Sequence, residues 1–155
     1  MGSPIELDPI ATVRGGRSFL RDDGWDAEQA VIELEDHICI DALAGLNQFS
    51  HAVIVFQFHR VPLDRIATGA RHPRNNIEWP KVGIFAQRGK NRPNRIGVSI
   101  CRIFGVQGRT LTVRGLDAID GSPVLDIKPH MTGFNARGVV REPDWATELM
   151  RGYWT

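Results

Sequence analysis

Phe85-Ala-Gln-Arg-Gly-Lys-Asn-Arg-Pro-Asn-Arg-Ile-Gly-Val-Ser-Ile-Cys-Arg-Ile-Phe-Gly-Val-Gln-Gly-Arg-Thr-Leu-Thr-Val-Arg-Gly-Leu-Asp-Ala-Ile-Asp-Gly-Ser-Pro-Val-Leu-Asp-Ile-Lys-Pro129 alternates strand signals with turn signals, and that alternation decides the fold. Gly97 to Val106 and Thr110 to Arg114 are rich in apolar and β-branched residues. Val106-Gln-Gly-Arg109 between them is a tight turn, which makes the two runs a hairpin. Val82 to Ala86 and Val124 to Ile127 read as further strands. The other two turns are of a different kind. Arg88–Gly97 carries Arg88, Lys90, Arg92 and Arg95, and Gly115–Pro129 carries Asp117, Asp120 and Asp126. Proline locks φ at Pro93 and Pro123, while Gly97, Gly115 and Gly121 permit positive φ. Loops this charged on a rigid scaffold are where binding and chemistry usually sit.

Upstream, Ala52 to Phe58 is nearly all apolar, β-branched or aromatic and reads as a buried strand. Ile10 to Arg14, ending at Gly15-Gly16, and Ala30 to Leu34 read as two more. Asp41 can cap a short helix through Leu46. Arg60 to Pro80 is polar without periodicity and reads as a long loop. Pro143-Asp144 opens a final helix, Trp145 to Gly152, with Trp145, Leu149 and Trp154 as its docking face. Roughly seven strands with little helix predict a mainly β fold: a closed or nearly closed β-barrel with a long loop and a short C-terminal helix. No helix of crossover length separates the strands, which argues against a parallel α/β sheet. The expected division is a barrel domain over 1–135 and a C-terminal extension over 136–155.

At 155 residues the chain is long enough to bury a sizeable core as one domain. No apolar run has the length to span a bilayer, and the N-terminus lacks an apolar signal region, so no membrane role is expected. Cys39 and Cys101 both lie in apolar surroundings and read as reduced core thiols, which suits a cytoplasmic protein. The net charge is only +1, but Arg60–Arg109 holds eleven Lys or Arg against Asp64 and Glu78. An excess of nine positive charges in one segment points to a surface for a polyanion, nucleic acid before membrane.

Several chemistries are excluded. There is no G-x-G-x-x-G for a Rossmann nucleotide site, no G-x-x-x-x-G-K-[ST] phosphate loop and no G-x-S-x-G elbow. The histidines and cysteines have no zinc-site spacing, so no metal is expected. Three features remain: His51 in Phe49-Ser-His51 before the buried strand, the Arg88–Gly97 loop, and the Asp117–Lys128 segment. Arginine forks match carboxylates, phosphates and base edges, and Pro93 stiffens the presentation of Arg92 and Asn94. Asp117, Asp120, Asp126 and Lys128 crowd around Gly121-Ser-Pro123, a density that turn chemistry alone does not require.

At Phe85-x-x-Arg88-x-x-x-Arg92-Pro-Asn94-x-Ile-Gly97-x-Ser99 and Leu116-Asp-x-x-Asp120-Gly-Ser-Pro-Val-Leu-Asp126-Ile-Lys-Pro129, the chain resembles the TrmO family, also called TsaA-like or YaeB-like. The likeness reaches upstream through Leu43-Ala-Gly-Leu-Asn-Gln-Phe-Ser-His51 to Ile10-Ala-Thr-Val-Arg14, covering about residues 10 to 135. The resemblance implies a barrel that binds S-adenosylmethionine and methylates the exocyclic nitrogen of threonylcarbamoyladenosine beside the tRNA anticodon, usually as a homodimer. It places the cofactor within reach of Gly15, Gly16, Arg17, His51, Ala52, Arg88, Gly121, Ser122, Pro123 and Val124. From their chemistry, Arg92, Asn94, Arg95 and His130 are candidates to bind the substrate, and Arg92, Asp120, Asp126 and Lys128 to serve catalysis. There are departures. Arg88-Gly-Lys90 stands where the family commonly reads Arg-Ser-Pro, Arg95 replaces a usual second proline, and His130 stands where tyrosine is typical. The longer bacterial members have an additional C-terminal domain for which this chain is too short. The competing readings are a related methyltransferase with another RNA or small-molecule acceptor, and a non-catalytic cofactor- or RNA-binding module.

Methyl transfer from a sulfonium is an in-line displacement, so orientation carries most of the catalysis. The accepting nitrogen must lose a proton, and Asp120, Asp126 and His130 are candidates to take it. Arg92 carries two expectations. Either its fork grips an anionic or base-edge group of the substrate, or it pins its own loop through backbone carbonyls.

Overall fold

Side chains on a strand alternate between faces, so a strand apolar at every position must find cover, or a use, for both faces. The computed structural model describes residues 2–155. Eight strands follow in chain order: β1 (Ala11–Arg14), β2 (Gln29–Leu34), β3 (His51–Gln57), β4 (Ala70–Arg71), β5 (Val82–Gly83), β6 (Ile96–Gln107), β7 (Thr110–Arg114) and β8 (Pro123–Pro129), with one helix, α1 (Asp144–Leu149). Six of them close a barrel in the order β1-β2-β7-β6-β3-β8, every pair antiparallel. The fold is mainly β, a closed six-stranded barrel with one short C-terminal helix.

The barrel interior is filled by alternate residues of each strand: Ala11 and Val13, Ala30 and Ile32, Ala52, Ile54 and Phe56, Leu111 and Val113, and Val124. Cys101 lies among them, and burial pushes its thiol pKa up to about 12. The outward residues of β3, Val53 and Val55, sit across from Ile100 and Val98 of β6. Val98 is 44% exposed, Ile100 50% and Phe104 55%, so the β6 outer face is an uncovered apolar stripe.

Several expectations are corrected. Asp41 caps no helix: Ile40–Leu43 and Leu46–Gln48 are two 3₁₀ turns, and Cys39 takes the capping position of the first without a side-chain bond. Val82 to Ala86 is not a barrel strand. Only Val82–Gly83 is extended, paired with β4 in a separate ribbon, and Ile84–Ala86 turns. Cys39 is exposed rather than in the core. The Arg60–Pro80 loop carries short turns and β4, and is tied by an Arg74–Asp23 ion pair at 2.9 Å and a His72 Nδ1 contact to the Trp79 carbonyl at 2.8 Å. The final helix is shorter than expected, after which the chain returns along Gly24–Asp26. There Gly24 and Trp25 amides donate to Tyr153 O at 2.8 and 3.0 Å, and the Asp26 amide to Trp154 O at 2.7 Å. Trp145, Leu149 and Trp154 are half-buried.

Gly97 is fixed by packing rather than by its dihedrals. A Cβ there would meet Phe56 Cζ at 2.6 Å and Phe58 Cζ at 2.8 Å, against an edge-to-face pair whose centroids are 5.2 Å apart. Phe56 is fully buried and has nowhere to go. Gly97→Ala therefore destabilises by about 1–3 kcal/mol, as overpacking does. Gly105→Ala, whose Cβ would enter open space, stays close to wild type. Urea unfolding of the two variants checks this, and equal stabilities would contradict it.

Candidate functional site

One end of the barrel gathers four chain segments. β1 runs into Gly15-Gly16, both left-handed at φ 74° and 70°, and the chain reverses there. The Gly15 amide donates to Asp120 Oδ1 at 2.9 Å, the Asp120 amide to Arg17 O at 2.7 Å, and the Gly121 amide to Val13 O at 2.7 Å. Gly121 is left-handed too, at φ 84°, and its position before β8 lets the Val13 amide return a bond to Ser122 O at 2.9 Å. Ser122 is buried, its hydroxyl donating to Ile119 O at 2.6 Å. Of the expected cofactor residues, the structure sets Gly15 beside the Asp120–Ser122 turn, with Gly16 against Ala30.

The Arg92–Arg95 loop reaches the same end. Pro93 is followed by two left-handed non-glycine residues, Asn94 at φ 64° and Arg95 at φ 51°. Backbone of this kind costs about 1–3 kcal/mol per residue and persists only where its surroundings impose it. Arg95 Nη1 donates to Val61 O at 2.9 Å, and Arg95 O accepts the Phe58 amide at 2.8 Å. Arg92 Nη1 donates to Gln87 O at 2.7 Å and to Gly89 O at 3.4 Å. Of the two expectations for Arg92, the contact present is the backbone pin. Asn94 at the loop tip is exposed.

Between these loops lies His59, which the sequence reading passed over. It follows the apolar run of β3, as His51 precedes it, and that symmetry was the available signal. His59 Nε2 lies 3.6 Å from the position a Cβ would take on Gly121, and its Nδ1 is buried without a hydrogen-bond partner. Burial lowers the ring's pKa below the ordinary 6.5. The Arg60 and Arg95 cations add to that shift, while the Gln57 carbonyl and Asp120 oppose it. Arg60 is itself held by Ser18 O at 3.0 Å.

Other expected site residues stand elsewhere. His51 and Ala52 begin β3, six and five residues before Gln57, so at about 3.3 Å per residue they lie roughly 16–20 Å along the strand from the Gly121 end. His130 joins them there, its amide donating to His51 O at 3.0 Å. Asp126 and Lys128 pair at 2.8 Å on β8, a contact that raises the lysine pKa. Arg17 is 4% exposed, with its guanidinium 3.8 Å from the Trp25 ring, paired with Glu28 at 3.1 Å and donating to the Arg21, Asp23 and Gly24 carbonyls. Its side chain organises the 17–25 loop. Arg88 is exposed and bonds Val98 O at 3.0 Å, and Pro123 and Val124 pair with Thr12 and Ala11. Asp117 accepts the Tyr153 hydroxyl, which ties the C-terminal segment to this loop.

Residues 21–136 match the family described as the tRNA-methyltransferase O N-terminal domain. The chain belongs to that family. It is 33% identical over 137 residues to the "Probable S-adenosyl-L-methionine-binding protein" of Methanothermobacter thermautotrophicus, covering 86% of this chain and 96% of that one. The human tRNA (adenine(37)-N6)-methyltransferase is 38% identical over 102 residues, 66% of this chain but 23% of the human protein. The crystal structure of TrmO from Pseudomonas aeruginosa superposes with a TM-score of 0.69 at 29% identity, covering 90% of this chain and 62% of that one. The chain thus spans less than two thirds of the human protein and of the crystallised TrmO. Among the described residues no helix is long and apolar enough to cross a membrane.

The histidine gives a pH signature. Because His59 titrates lower in the folded chain than its ordinary 6.5, the unfolded chain binds more protons between the two values. Stability therefore rises with pH through that window and levels off above 6.5. Urea midpoints of wild type and His59→Asn across the window check it. The variant should lose this part of the slope, and an unchanged slope would contradict the assignment.

Proposed function

We propose that the chain binds S-adenosylmethionine at the Gly15–Gly121 end of the barrel and transfers its methyl group to the exocyclic nitrogen of threonylcarbamoyladenosine in tRNA. One observation carries the reading. The two family motifs, the Arg92–Gly97 loop and the Asp120–Val124 loop, converge on one mouth around His59, although a whole hairpin separates them in sequence. The residues suit a sulfonium donor. Gly15 has open space where a side chain would stand, so a ligand can approach its backbone, and Asp120 presents a carboxylate to positive charge. The bound donor would supply an electrophilic methyl group. The chain's part is to hold, orient and take up a proton.

Arg92, Asn94 and Arg95 would shape the substrate side of the mouth, with Arg92 acting through the loop it pins. His51, Ala52, His130, Asp126 and Lys128 remain candidates at the far end of β3 and β8 for more distant parts of the RNA. The cations of 60–109 favour a polyanion. Among the described residues only Arg74 and Arg102 of that segment meet a carboxylate, Arg102 at 3.9 Å, and the rest bond carbonyls, an asparagine or none of these. We assign residues 1–135 to the family domain and 136–155 to an extension strapped onto it. Partnering with a second copy is supported by the Val98–Ile100–Phe104 stripe, and light scattering should give a dimer mass; a monomer at working concentration would count against it. A cytoplasmic setting fits the two free thiols and the RNA substrate.

Two measurements test the reading. Calorimetry should show S-adenosylmethionine binding, and nucleoside mass analysis should show one added methyl on tRNA incubated with protein and cofactor. Binding without transfer would leave only a cofactor-binding module. Lys81→Ala and Lys90→Ala should weaken tRNA binding whatever its sequence, each reducing the salt slope by about one. An unchanged slope would place the RNA on another face.

A further inference from the structure

We propose that His59 Nε2 accepts the proton released by the nitrogen that is methylated, an inference that rests on the methyl-transfer reading above. In this step the N–C bond forms as the C–S bond of the sulfonium donor breaks. The sulfur keeps the electron pair and becomes a neutral thioether. The N–H proton goes to Nε2, giving an imidazolium, and then to solvent. A group with an available lone pair must therefore stand at the reacting nitrogen.

The structure narrows the choice. Asp126 is paired with Lys128 at 2.8 Å, and Asp117 accepts the Tyr153 hydroxyl. His51 and His130 lie at the other end of β3. Asp120 is at the mouth, but Oδ1 is held by the Gly15 amide at 2.9 Å, and a carboxylate is the weaker base. His59 remains. It stands where the Gly121 turn, the Arg95 loop and the end of β3 meet, with Nε2 3.6 Å from the position a Cβ would take on Gly121.

Its surroundings suit the task. The charged groups facing the ring are Arg60, Arg95 and Asp120. Both arginines are fixed by carbonyls, Ser18 O and Val61 O, so their cations stay beside the ring and keep it neutral at physiological pH. Nδ1 is buried without a hydrogen-bond partner, and the proposal requires the ring proton there, which leaves Nε2 its lone pair. After transfer, burial and the two cations disfavour the imidazolium and return the proton to water.

Three readouts test this. Ring nitrogen NMR on the free protein should show His59 titrating below 6.5 with Nε2 unprotonated in the neutral form. A proton on Nε2 would overturn the proposal. His59→Asn should keep the wild-type melting temperature above pH 7 and still bind cofactor, yet lose roughly 100-fold or more in methyl transfer at saturating cofactor. A wild-type rate in the variant would overturn the proposal and leave the methyltransferase reading standing. Wild-type protein that binds cofactor but transfers nothing to tRNA would overturn both. Should His59→Asn fail to fold, the wild-type kcat/KM–pH profile, which reports groups of the free enzyme, decides. Its acid limb must have the midpoint found for His59 by NMR, and a different midpoint would reject the assignment.

Discussion

The barrel closes along a short seam. β1 and β8 share only two paired positions, Ala11 with Val124 and Thr12 with Pro123. Closure is completed beyond the strands, where Val13 bonds Ser122, Gly121 bonds Val13, Asp120 bonds Arg17 and Gly15 bonds the Asp120 carboxylate. These bonds require left-handed backbone at Gly15, Gly16 and Gly121, which side chains rarely adopt. The same bonds build the candidate site. Closing the barrel and shaping its mouth thus draw on the same bonds.

Around that seam the other segments are held by arginines used as structural cross-links. Arg17 gathers the 17–25 loop, Arg60 reaches Ser18, Arg92 pins Gln87 and Gly89, and Arg95 ties the Pro93 turn to Val61. A guanidinium has several donors in a fixed plane, so each can satisfy loop carbonyls that no strand pairs while keeping its charge. The cations of Arg60, Arg92 and Arg95 at this end are thus placed there by how its loops are held. The C-terminal segment adds a strap, bonding Gly24–Asp26 along the backbone and Asp117 through Tyr153.

The barrel was legible in sequence because strand patterning is local. Ala52–Phe58, the Gly97–Arg114 hairpin and Val124–Ile127 fall within a residue or two of their places. Short elements were not legible, because Val82–Ala86 has the apolar residues of a strand but lies where no barrel partner can reach it. The seam glycines were readable as turn residues, and their partner Asp120 as a charged loop residue. Orientation was not. Nothing in Gly15-Gly-Arg17 says that the arginine turns inward onto Trp25, nor that His51 and Gly121 stand at opposite ends of neighbouring strands. His59 escaped because its role depends on a glycine sixty-two residues away in the chain. The Arg92 pin was one of two readings, and only the loop's path separates them.

If the seam is the cofactor site, the ligand must be felt there first. Amide and ring chemical-shift mapping during titration with S-adenosylmethionine tests this most directly. The account predicts saturable shifts at Gly15, Gly16, Asp120 and Gly121 and at the His59 ring, with His51 and His130 little changed. Shifts confined to His51, His130 and the far end of β3 would contradict it.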